Sequence, residues 1–72
     1  MQTYEAYSQL QKLDRTLSMY GNLTEEQVAS IGQIGERLNT AERYMTESEK
    51  TASKLDASRQ ILYKLVKETG LG

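Results

Sequence analysis

The chain has 72 residues, with no Cys, His, Pro, Trp or Phe, and a formal net charge of −1. A chain of this size without disulfide or metal supports rarely draws more than ~3–5 kcal/mol from its core, which points to one small domain over 1–72 that gains from a partner. Without His or Cys the commonest general base, the thiolate nucleophile and the usual metal ligands are missing, so we expect no catalytic residue, no metal and no cofactor.

Abundant Gln, Glu, Lys, Leu and Ala, with no Pro, predict an all-α chain. From Thr3 to Tyr20, apolar residues recur at Ala6, Leu10, Leu13, Leu17 and Tyr20. Alternating steps of four and three keep them on one stripe of a helix of about 3–20, which Tyr20 is expected to close. Gly21-Asn22 supplies the stop, since Gly tolerates the left-handed conformation that ends a helix.

The string NLTEEQV carries the next start. Thr24 and Gln27 have capping-box spacing, and Leu23 and Val28 hold the positions of a hydrophobic staple. Glu25 and Glu26 place negative charge at the positive end of the helix dipole. A second helix of about 25–45 then lays Val28, Ile31, Ile34, Leu38, Ala41 and Met45 on one face. Joined by a short turn, helices 1 and 2 should form an antiparallel hairpin. Gly32 and Gly35 cost this helix about 1 kcal/mol each relative to Ala. Gly35 falls within the apolar face, where close approach of a neighbouring helix accounts for it.

The remainder carries Leu55, Ile61, Leu62, Leu65 and Val66, with Gly70 as a stop. A single seam continued from the second helix would meet Ser48, Ala52 and Arg59, and would leave Ile61 and Leu65 aside. That rotation exceeds the ~20° per heptad drift of a straight helix, so the two halves want different neighbours. Thr46 with Glu49 repeats the capping-box spacing and predicts a third helix of about 47–69, folded back as the third wall of a small antiparallel bundle. The alternative is a hairpin whose second helix runs unbroken over 25–69 and dimerises through its C-terminal half. Such an arm would approach ~65 Å at 1.5 Å per residue.

The acids lie on faces that read as solvated or as helix starts, among them Glu36, Glu42, Glu47 and Glu49. The five Tyr supply all the aromatic content. Tyr4, Tyr7, Tyr44 and Tyr63 lie at or beyond the edges of the apolar stripes, and with Met1, Met19 and Met45 they suit a protein-binding surface. The expected function is therefore a non-enzymatic protein–protein interaction module, a small adaptor, inhibitor or anti-factor, or chaperone-like regulator. A homodimer is the expected state.

Bases outnumber acids from Lys50 onward. On a continuous helix, Lys50, Lys54, Lys64 and Lys67 would form a strip opposite the apolar face, with Ser53 and Ala57 between them. Such a strip suits an anionic partner and gives a second class, a small helix-turn-helix-like DNA-binding regulator. The strings IGERLNTAER and KLDASR faintly resemble the LuxR/GerE-type helix-turn-helix, across a gap. The acidic TESE stands where that family's DNA-reading helix begins, and no functional residue is carried over. A membrane-surface helix, the third class, would want Trp or Phe on its apolar side. With no signal-peptide pattern and no ~20-residue apolar run, a cytoplasmic location is the default expectation.

Overall fold

The structure, a computed structural model, describes residues 2–52 and 54–71. It is an all-α bundle: α1 (Gln2–Tyr20), α2 (Glu25–Arg43), α3 (Glu47–Ala52) and α4 (Leu55–Thr69). The three long helices pack against one another in every pairing, and α3 serves as the crossover.

Local chemistry sets the boundaries. Gly21, at φ +78°, ends α1 with its amide on the Leu17 carbonyl at 2.8 Å. Thr24 then starts α2: its Oγ1 accepts from the Gln27 amide at 3.1 Å while Gln27 Oε1 accepts from the Thr24 amide at 2.9 Å. The same reciprocal pair recurs at Thr46 and Glu49, with both bonds at 3.2 Å. At the far end Gly70, at φ +72°, stops α4, and the amides of Gly70 and Leu71 both turn back to the Val66 carbonyl. Satisfying these otherwise orphaned backbone groups lets the elements be short and sharply bounded.

The expected break after the second helix is present at 44–46, so the unbroken 25–69 helix is not the fold seen here. Two boundaries differ from expectation. The second helix ends at Arg43, with Met45 in the link yet still packed on the core. The expected third helix is two helices, α3 and α4. α3, ESEKTA, offers almost no apolar surface to dock, whereas the face that docks begins afresh at Leu55.

The core is a layer of Ala6, Leu10 and Leu13 from α1, Ile31, Ile34 and Leu38 from α2, and Leu55, Leu62 and Leu65 from α4. Leu17, Leu23, Ile61 and Val66 lie half-buried around it. Tyr20, expected to close the α1 stripe, is 70% exposed. Cover fades along that stripe: Leu10 is fully buried, Leu17 only partly, and Tyr20 stands at the open end of the bundle. Ser58 is an unexpected core member, fully buried between Leu55 and Leu62 along the α4 face.

Polar contacts fix the direction of α4. Lys54 Nζ stands 5.6 Å from the Tyr7 ring centroid, and Lys64 Nζ lies 3.0 Å from Asp14 Oδ1, so α4 runs parallel to α1. Arg59 Nη2 donates to Asn39 Oδ1 and Glu42 Oε1, both at 3.0 Å, and Gly35 faces Leu62, so α4 runs antiparallel to α2. The result is an up–down–up bundle measuring 37 × 18 × 18 Å.

Candidate functional site

With the core assigned to aliphatic residues, the aromatic side chains are left on the outside. Tyr44 is 82% exposed, Tyr63 61% and Tyr4 51%. Tyr7 is half-buried, its hydroxyl accepting from Gln11 Nε2 at 3.0 Å while its ring lies beneath Lys54. Tyr4, Tyr7 and Tyr44 share one pole, where α1 begins and α2 ends. Tyr63 lies apart, towards the other pole, beside a shallow depression of about 270 Å³ that it shares with Val66, Lys67 and Gly70. Met19 is exposed near that pole, Met45 is half-buried, and Met1 lies outside the described residues.

The single helix assumed in aligning the four lysines is divided into α3 and α4. Lys50 belongs to α3, Lys54 precedes α4, and Lys64 and Lys67 lie in α4. Three of them have partners: Lys50 approaches Glu47 at 3.7 Å, Lys54 covers Tyr7, and Lys64 pairs with Asp14. The Asp14 carboxylate, by hydrogen bond and by charge, raises the Lys64 pKa above its ordinary value. Lys67 is exposed in the last turn, where a cation suits the negative end of the helix dipole. Ser53 lies outside the described residues, and Ala57 is half-buried.

Two features have no counterpart in the sequence reading. Glu42, expected to be solvated, binds Arg59 across the α2–α4 seam. The outer side of the α1–α2 hairpin also carries a groove of about 250 Å³, floored by Leu13 and Ile34 and flanked by Lys12 and Arg37. Only the juxtaposition of two helices creates either one. The i,i+3 and i,i+4 spacing within each helix did signal the groove floor, but as core alone.

Comparison with family models, curated proteins and solved structures finds no match for this chain. Chemistry must therefore be read from the residues. Among the described residues, no three acidic groups are placed to hold a metal ion, and no helix is long and apolar enough to cross a membrane. What the surface does offer is contact area, in Tyr side chains with broad faces and polar tips.

Proposed function

We propose that the protein is a non-catalytic protein-binding module that works through helix faces and self-associates as a homodimer. The carrying observation is the outward placement of Tyr4, Tyr44 and Tyr63 on a bundle whose buried residues, among those described, are aliphatic apart from Ser58. Tyr is enriched at interfaces because it buries a large area while ordering few torsions. The module belongs to the class of small adaptors, inhibitors or chaperone-like regulators, with action in the cytoplasm.

The test is site-specific photocrosslinking in the native cell from Tyr44 and Tyr63, with Glu36 and Ser18 as exposed controls. One discrete partner crosslinked from the Tyr positions and not from the controls, and lost when the other Tyr residues become Ser, supports the reading. Equal labelling from all four positions rejects it. DNA binding is the weaker proposal, since three of the four expected phosphate-contacting lysines already hold partners within the bundle.

A further inference from the structure

The three long helices meet along three outer seams, and two of these are tied by polar contacts. Along α1–α4, Lys64 pairs with Asp14 and Lys54 covers Tyr7; along α2–α4, Arg59 holds Asn39 and Glu42. Along α1–α2, no side chains of the described residues pair across the seam. Lys12 from α1 and Arg37 from α2 instead flank the groove over Leu13 and Ile34, and no acid lines it among the described residues. Neither cation has an ion-pair partner among those residues. Like charges beside one groove repel each other, and an anion set between them removes that repulsion.

The rim adds further donors. Gln9 and Gln33 line the groove with side-chain amides that hold no partner among the described residues, and amide N–H groups suit carboxylate oxygens. At about 250 Å³ the groove is smaller than the ~300–1,000 Å³ that encloses a small molecule, so it suits side chains of a longer ligand. Leu13 and Ile34 expose little surface, and charge therefore carries more of the selectivity than apolar burial does. The floor is aliphatic, with no ring for a base to stack on, which favours a peptide over single-stranded nucleic acid. α1 and α2 each run 19 residues, long enough for about four turns of a partner helix to lie along their seam.

We infer that the α1–α2 groove docks an acidic amphipathic helix of another protein. Apolar side chains spaced i and i+3 or i+4 on that helix rest over Leu13 and Ile34, while Asp or Glu on its flanks meets Lys12 and Arg37. A second copy of this chain has no such helix to offer. Its acidic segment, α3 (ESEKTA), lacks an apolar side, and the apolar stripes of α1, α2 and α4 are taken up in the core. The inference rests on the reading of the chain as a protein-binding module and adds a second surface to the Tyr positions.

The test is selection from a display library of amphipathic helices of about four turns. The seam positions vary among Leu, Ile, Val, Phe, Met and Ala, and the flanking positions among Glu, Gln and Lys. Wild-type protein should enrich Glu over Lys at the flanks at least ~5-fold. Lys12→Glu with Arg37→Glu should reverse the preference, and Lys12→Gln with Arg37→Gln should remove it. Both positions are exposed, so each double variant should keep the wild-type circular dichroism and Tm. The best Glu-flanked helix should shift the Leu13 and Ile34 methyl resonances, bind the Glu variant ~10-fold more weakly, and loosen with added salt. Helices enriched without charge preference, the same preference from all three proteins, or no enrichment at all would overturn the assignment. So would a single-stranded RNA that shifts the same methyls at lower concentration, or methyl shifts that follow protein concentration alone. Shifts confined to Tyr4, Tyr44 and Tyr63 would overturn the groove and leave the protein-binding reading standing. Shifts at neither surface, with no crosslink from Tyr44 or Tyr63, would reject both.

Discussion

A methyl group placed on Gly35 would lie 3.5 Å from Cδ2 of Leu62, in ordinary van der Waals contact. The glycine faces α4, as its place in the apolar stripe implied, but the helices are not so close that only hydrogen fits. Gly35→Ala should therefore stabilise the bundle by about 0.5–1 kcal/mol, and Gly32→Ala, with nothing within 4 Å, by a similar amount. For a domain of this size that is a rise in Tm of roughly 4–8 °C per kcal/mol. Gly21→Ala and Gly70→Ala should lower Tm instead, because both positions hold positive φ.

Ser58 has no exposed surface, and its hydroxyl has no hydrogen-bond partner. A buried polar group in that state costs about 1–3 kcal/mol. Ser58→Ala should raise stability in urea by about 1 kcal/mol at unchanged m value. A loss of stability would mean that the hydroxyl is bonded in solution.

The Arg59–Glu42 pair should behave as a clamp between α4 and α2. Its groups are partly shielded from solvent, and Asn39 accepts from the same Nη2 as Glu42, which helps hold the guanidinium in place. A double-mutant cycle with Arg59→Ala and Glu42→Gln should give a coupling of about 0.5–1 kcal/mol. Arg59→Lys should recover only part of it, since the shorter Lys side chain does not carry its ammonium to the position of Nη2, from which both bonds are donated.

The Lys64–Asp14 pair makes an alkaline prediction. The folded-state pKa of Lys64 is raised, so folding binds its proton more tightly than the unfolded chain does. The stabilisation is fully present below the ordinary Lys value near 10.5 and is lost as pH rises through the higher folded value. Lys64→Met should flatten the alkaline limb of the stability curve relative to wild type, with no change in its slope between pH ~6 and ~9. An identical alkaline limb in both proteins would exclude the pair as a contributor.

What could be read from the sequence was local. Both capping boxes, the Gly stops and the three apolar stripes come from short spacings, and the break at 44–46 came from a stripe that lost its phase. The start of a separate α4 at Leu55 did not, because Lys54 lacks a capping side chain and the decision rests on where Leu55 must dock. Tyr20 was misplaced for the same reason: its spacing fits the stripe, but the bundle has no neighbour to cover that end. The lysine strip assumed one continuous helix, whereas Lys50 lies in α3 and Lys64 and Lys67 in α4. Cross-helix pairs such as Arg59 with Glu42 have no signature along the chain, since their separation depends on the whole register.

The parallel course of α1 and α4 has a mechanical consequence. Three long passes leave Gln2 and Leu71 at opposite poles of a body 37 Å long. Tension applied through those two points would drag α1 and α4 lengthwise past each other. Every contact along their seam, from Lys54 over Tyr7 to Lys64 on Asp14, would then bear load together. A bundle with an even number of passes would instead be peeled apart one contact at a time.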